Sequence, residues 1–184
     1  CDHSRGRRVI ILDRVNKAFG TKIILSAATY NFPAGERVAL VGANGVGKTT
    51  LLNIICDLDH LDTGKVVVPQ NVRIGYLPQE PNPDPAATVH AECIAGAAAI
   101  ARLKKTMDEA LVAGDAGLDR YEPAEADYRI AGGYQIAARA AGILHGLGFS
   151  PTDLLKPPMQ LSGGWRMRLE LGRIFVNAPD FLVL

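Results

Sequence analysis

The sequence predicts an α/β fold: a strand-rich stretch, a helical insertion, and a closing helix that leads back into a strand. Three observations carry this. Residues 8–77 hold short β-branched and apolar runs broken by turn residues. From 86 to about 148 the chain turns Ala-, Glu- and Lys-containing and helical. After residue 161 a glycine pair opens an amphipathic stretch that ends near an apolar run at 181–184. The 184 residues match one domain, at the usual allowance of roughly 150 residues each. A composition 48% hydrophobic and 21% charged excludes a disordered chain.

The elements follow in order. Val9-Ile10-Ile11-Leu12, Lys22-Ile23-Ile24-Leu25, Ala28-Thr29-Tyr30-Asn31-Phe32 and Arg37-Val38-Ala39-Leu40-Val41 read as short strands. Pro33-Ala34-Gly35-Glu36 is a turn between the last two. Residues 48–58 read as a helix, with Leu51, Leu52, Ile55 and Leu58 near helical spacing. Val66-Val67-Val68 and residues 72–77 are two further strands, separated by a turn over 69–71. Pro78, Pro81, Pro83 and Pro85 punctuate a loop. Gly114, Gly117, Pro123, Gly132 and Gly133 divide the stretch that follows into three or four helices. A helix over 164–176 and a strand over 181–184 close the sequence.

The net charge of +1 supplies no field that would draw the chain onto nucleic acid or an anionic membrane. The longest charge-free runs, 23–35 and 140–152, are 13 residues each, short of the roughly 20 apolar residues that a spanning helix needs. No signal-peptide pattern is present. Cys1, Cys56 and Cys93 are odd in number and irregularly spaced, which fits neither a disulfide framework nor a zinc site and points to a reducing, cytoplasmic setting. The start on Cys1 and the bare apolar ending Phe181-Leu182-Val183-Leu184 predict a fragment of a longer chain.

Gly42-Ala43-Asn44-Gly45-Val46-Gly47-Lys48-Thr49 fits G-x-x-x-x-G-K-[ST] at every fixed position, between a predicted strand and a predicted helix. Glycines let the backbone wrap closely around a polyphosphate. The N–H groups of Gly45, Val46, Gly47 and Lys48 can then converge on the anion, helped by the positive end of the helix. Lys48 places a charge between the β- and γ-phosphates, and the Thr49 hydroxyl suits Mg²⁺, a hard cation that prefers oxygen. Thr50 is counted with the nucleotide-binding residues. A second anion site is read at Leu161-Ser162-Gly163-Gly164-Trp165, where Ser162 caps a helix and Gly163 and Gly164 expose N–H groups.

The phosphate loop, a Gln following a strand at 79, and Leu-Ser-Gly-Gly at 161–164 together resemble the ATP-binding-cassette (ABC) ATPase family over nearly the whole chain. The resemblance implies a P-loop NTPase core with an antiparallel β subdomain (1–78 and 178–184) and a helical subdomain (79–177) carrying the signature motif. It implies ATP and Mg²⁺ as ligands. Two domains pair head to tail, so that Ser162, Gly163 and Gly164 contact the nucleotide held by the other domain. Gln79 stands where the family has the glutamine that contacts Mg²⁺ and the attacking water, and Lys48 and Gln79 are the catalytic candidates. Phe19, 29 residues before Lys48, resembles the aromatic residue that stacks on adenine. Trp165, followed by Arg166-Met167-Arg168, takes the place of the Gln usual in transporter subunits and looks like the soluble ABC-F branch, many of whose members act on the ribosome. A transporter's ATP-binding subunit and a non-catalytic nucleotide-gated scaffold remain the alternatives.

Other features run against or beside this reading. Residues 102–129 hold five basic and seven acidic residues, a solvated helical face rather than a phosphate-tracking surface. Residues 179–184 resemble the strand that delivers an Mg²⁺-shell Asp and a catalytic Glu in the family, and the sequence stops one residue short of that pair. The 184 residues alone are therefore expected to bind nucleotide weakly and turn it over negligibly. Cys56 reads as a core thiol, His145 as structural, His60 and His90 as lacking any ligand spacing, and Arg5, Arg7 and Arg8 as a solvated lead-in. Trp165, Leu169, Leu171, Ile174 and Phe175 read as core and interface.

Overall fold

The structure is a computed structural model and describes residues 10–70 and 72–184. Cys1, Val9 and the basic start at Arg5, Arg7 and Arg8 lie outside the described residues, as does Asn71 of the turn over 69–71. The chain divides into two compact units: one up to Ile74 together with Val183, the other over Gly75–Leu182 together with Leu184.

The first unit is built on an antiparallel three-stranded sheet of order β2-β1-β3, with β1 (Ile10–Phe19), β2 (Lys22–Phe32) and β3 (Thr63–Val67). Two predicted strands, 22–25 and 28–32, are one continuous β2. Gly20, at φ 60°, supplies the positive dihedral of the tight turn that sets Phe19 opposite Lys22. The alternation of β1 is broken once. Ile10, Leu12 and Val15 are all buried although Leu12 and Val15 are three apart, because a bulge at Asp13–Arg14 inserts one extra residue. Arg14 sits at φ 48° there, its N–H donates to Thr29 Oγ1 at 3.1 Å, and a Cβ on Gly64 would lie 2.2 Å from its carbonyl oxygen. Bulge and glycine therefore require each other. Beyond the sheet's turns, α1 (Lys48–Ile55) buries Ile54 and Ile55. The helix ends before the predicted residue 58, and Leu58 is exposed. Cys56 caps its C-terminus half-buried, with burial raising the thiol to about 11.

The short β4 (Ile74–Tyr76) pairs with β5 (Phe181–Val183). Four helices occupy the predicted helical stretch: α2 (Val89–Ala95), α3 (Ala98–Val112), α4 (Leu118–Ile130) and α5 (Ile136–Gly146). Pro123 does not divide helices as predicted. It lies inside α4, where Ala124 and Tyr128 pack on Met107 of α3, whereas the predicted break at Gly114 and Gly117 is present as a 3₁₀ turn. That packing outweighs the single backbone bond a proline removes. α6 (Gly163–Val176) joins α2 and α5 around Val89, Cys93, Ala140, Leu144, Phe149 and Leu169. Cys93 is fully buried in this core and its thiol is pushed up to about 12. Glu92, 4% exposed, ties three segments together: its Oε1 meets Arg173 Nη1 of α6 at 3.1 Å, and its Oε2 accepts from Asp84 N–H at 3.3 Å in the proline-rich loop. Glu170 Oε2 takes the same guanidinium nitrogen at 2.9 Å. His145 and His90 are structural, with His145 Nδ1 3.0 Å from Phe149 O and His90 Nε2 2.8 Å from Ala137 O.

Two stability outcomes follow. Leu144→Ala, at a fully buried position, is expected to cost ~2–5 kcal/mol, read as a lower urea midpoint, while Leu111→Ala on an exposed face shifts it by less than about 0.5 kcal/mol. The Asp153 carboxyl is held well below the usual carboxylate range, first by the bond from Lys156 and then by those from Ser150. A lowered folded value means that this stabilisation is complete above the ordinary value and lost as the pH falls through the lowered one. Asp153→Asn should thus be destabilising at neutral pH, with the difference narrowing below about pH 4 and closing only in strong acid. Urea titrations across pH check this.

Candidate functional site

Glycine geometry shapes the loop ahead of α1. Gly45 at φ 77° and Gly47 at φ 102° are both left-handed, and Gly47 is the N-cap of α1. A Cβ on Gly47 would lie 2.2 Å from Ile24 Cγ2, so β2 closes off the space that any larger residue needs. The approach to the loop departs from expectation. Residues 37–41 form no strand, and Val38, Leu40 and Val41 are exposed. Their continuous apolar run suits a buried strand, but they join neither sheet among the described residues, and a run without a ladder is not a strand.

The electrostatics of the loop are one-sided. Lys48 Nζ turns back to donate to Gly42 O and Ala43 O, both at 2.8 Å. Lys22 Nζ donates to Gly45 O at 3.3 Å. No side chain caps α1, and its first turn carries no acidic residue. Among the described residues the two ammonium groups thus donate to neutral carbonyls, and no side chain caps the positive end of the helix. An oxyanion is a better partner for each of them. Asn44, Val46 and Thr49 are exposed along the same segment and Thr50 is half-buried. Among the described residues no cluster of three His, Cys, Asp or Glu could hold a metal ion. A hard cation would find the Thr49 hydroxyl and the ligand's own oxygens instead.

Lys22 is the residue that sequence reasoning missed. Nothing in motif spacing flags it. The signal was the Gly20-Thr21 turn, which pairs Lys22 with Phe19 across the hairpin and so links the aromatic residue to the loop. Phe19 ends β1 with 53% of its surface exposed.

The remaining predicted residues belong to the other unit. Gln79 is exposed in the loop after β4. Ser162 is the N-cap of α6 with φ −64° and ψ 163°, its side chain makes no capping bond, and no acidic residue lies in the first turn. Gly163 and Gly164 are exposed, neither has a positive φ, and a Cβ on either would meet nothing within 4 Å. Trp165 turns inward against Phe149, ring centroids 4.8 Å apart, and carries the Arg168 guanidinium 4.6 Å above its ring. It packs against the core of the helical unit, as the sequence suggested.

A protein-family model described as ABC transporter matches residues 25–184. Human ATP-binding cassette sub-family F member 3 is 34% identical over 178 residues, covering 94% of this chain and 24% of that protein. The protein YdiF of Bacillus subtilis (strain 168) is 32% identical over 184 residues, covering 96% and 29%. ABC transporter F family member 5 of Arabidopsis thaliana is 28% identical, covering 94% and 27%. The chain thus spans about a quarter of the length of these relatives. Among solved structures, the dimeric MJ0796 bacterial ABC transporter cassette superposes with a TM-score of 0.64 at 23% identity, over 94% of this chain and 72% of that one. A bacterial Atm1-family ABC exporter with ATP bound gives 0.64 at 20%, over 96% and 28%. The architecture is therefore that of an ABC cassette, a P-loop α/β fold with an antiparallel β part and a helical part. No helix among the described residues is long and apolar enough to cross a membrane.

The two glycine pairs predict opposite responses. Gly47→Ala should weaken inorganic tripolyphosphate binding by at least tenfold, measured by calorimetry, and lower the melting temperature, because both φ and Ile24 oppose it. Gly163→Ala should leave the fold intact or stabilise it by up to about 1 kcal/mol, since alanine is the better helix former.

Proposed function

The chain belongs to the ABC transporter family, and we propose that it is the nucleotide-binding part of an ABC-F-type ATPase that works in the cytoplasm on the ribosome. The observation that carries the nucleotide-binding part of this reading is the phosphate loop: Lys48 and Lys22 beside two left-handed glycines, donating to carbonyls and, among the described residues, to no carboxylate.

In this reading ATP lies with its triphosphate in residues 42–50. The N–H groups of Gly45, Val46, Gly47 and Lys48 bind its oxygens, and Lys48 leaves the carbonyls of Gly42 and Ala43 for the β- and γ-phosphates. Phe19 offers its open face to adenine. Mg²⁺, when bound, neutralises phosphate charge, and the Thr49 hydroxyl and the Gln79 amide would hold it. Residues 1–78 and 178–184 act as the nucleotide-binding core and 79–177 as the helical subdomain. Hydrolysis in the full-length protein is an in-line attack by water, with Gln79 orienting it and Lys48 stabilising the developing charge.

The signature motif takes its role from a partner domain. Two glycines opening α6 weaken the helix, yet neither φ nor crowding within this chain calls for them. What they leave is bare backbone N–H at an uncapped helix end, open to whatever docks there. This supports head-to-tail pairing with a second ABC domain, in which Ser162, Gly163 and Gly164 reach the other domain's γ-phosphate. The F sub-family names of the relatives, and Trp165 after the glycine pair, favour ABC-F over a transporter subunit.

Two measurements on the full-length protein test the reading. Lys48→Ala should reduce ATP turnover at least ~100-fold, and unchanged turnover would remove the loop from the mechanism. Sedimentation with ribosomes in the presence of ATP should carry the protein down; recovery with membranes instead would favour the transporter subunit.

A further inference from the structure

We propose that Lys17 is a positioning residue for the nucleotide base, holding the Phe19 ring in a fixed orientation relative to the phosphate loop. The proposal rests on the reading of Phe19 as the adenine-stacking residue. Its observations lie within the first unit.

Lys17 is an unusual lysine. Only 8% of it is exposed, although it lies two residues from the end of β1. Its ammonium has three neighbours. It donates to Asp59 Oδ1 at 3.0 Å and to the His60 carbonyl, and it lies 5.0 Å from the centroid of the Phe19 ring. A lysine stem is flexible and its charge prefers water, so a buried ammonium fixed on three sides is a constraint rather than a solvated tip. The contact with Phe19 is of the cation–π type and covers one face of the ring. With 53% of Phe19 exposed, the ring has a free side to offer.

Both polar anchors come from one segment, the loop directly after α1. The same loop is bonded to the β1 backbone on either side of Lys17: Asp62 N–H donates to Asn16 O at 2.9 Å, and Ala18 N–H donates to Asp62 Oδ2 at 2.7 Å. At its other end α1 begins with Lys48 at the phosphate loop. One helix therefore connects the segment that holds the triphosphate to the segment that holds Lys17, and Lys17 holds the ring. The Asp59 carboxyl is lowered chiefly by its bond from Lys17, so the anchor is ionised throughout the neutral range. A ring oriented in advance binds a base without first giving up rotamer freedom.

The test compares ATP with inorganic tripolyphosphate, which fills a phosphate loop but has no base to stack. Affinities of the full-length protein for both are measured by displacement of a fluorescent ATP analogue. Lys17→Met keeps the stem and removes the charge. It should weaken ATP binding about two- to fivefold, the size of a cation–π contact, and leave tripolyphosphate unchanged. Lys17→Arg should restore most of the ATP affinity. Asp59→Asn, which leaves Lys17 in place but loosens its anchor, should give the same ATP-only loss to a smaller degree, and it serves where Lys17→Met does not fold. Phe19→Ala is the reference. If it does not affect ATP binding, the stacking reading fails and takes the proposal with it. Should Phe19→Ala weaken ATP while Lys17→Met and Asp59→Asn do not, stacking stands and the positioning role of Lys17 is overturned. Equal loss for ATP and tripolyphosphate in the Lys17 and Asp59 variants also overturns it, since that is general damage to the site.

Discussion

The left-handed turn at Gly45 and Gly47 is the constraint from which the first unit's site follows. Because Gly47 adopts φ 102° and presses on Ile24, the chain leaves β2's neighbourhood and enters α1 in one fixed direction. That entry leaves the first N–H groups of α1 without a side-chain cap. It also places the Gly42 and Ala43 carbonyls where Lys48 can cross to them. A protein that needed only a helix start would gain about 1 kcal/mol from a Ser, Thr or Asp cap. Leaving the cap out makes sense where the missing acceptor arrives with a ligand.

The helical unit answers a different demand, the burial of charge. Glu92 and Glu170 converge on a single guanidinium, that of Arg173, in a site where Glu92 is almost wholly removed from water. Such groups add little net stability over a well-packed apolar substitute, but losing one partner leaves the others uncompensated. The gain is in geometry. Gly96, which ends α2, approaches the Arg173 backbone so closely that a Cβ would lie 2.0 Å from its carbonyl oxygen. Glycine for close approach and carboxylate for register together fix α2 on α6, and through Asp84 they hold the proline-rich loop as well.

Much of this was legible from residues alone, and the reasons differ by element. The phosphate-loop motif was readable because its signal is local: glycines where φ is positive, followed by a lysine and a threonine at the start of a helix. The six helices were readable in outline because periodicity and glycine breaks act within a few residues. Non-local choices were hidden. Residues 37–41 read as a strand, yet a strand exists only where another edge receives it, and pattern does not reveal the edge. Pro123 read as a divider because proline cost is local, whereas the Met107, Ala124 and Tyr128 packing that carries α4 through is not. Lys22, Lys17 and Asp59 took their places from hairpin register and from a loop 42 residues away, relations that spacing does not encode.

The eight residues of α1 act as a ruler. At about 1.5 Å per residue they set some 12 Å between the phosphate loop and the segment that grips β1. A helix also turns by about 100° with every residue. One inserted or deleted residue would swing the Asp59–Asp62 segment around the helix axis and away from the strand it clasps. Length is therefore fixed here as closely as the residues at the two ends of the helix, Lys48 at its start and the buried Ile54 and Ile55 at its close.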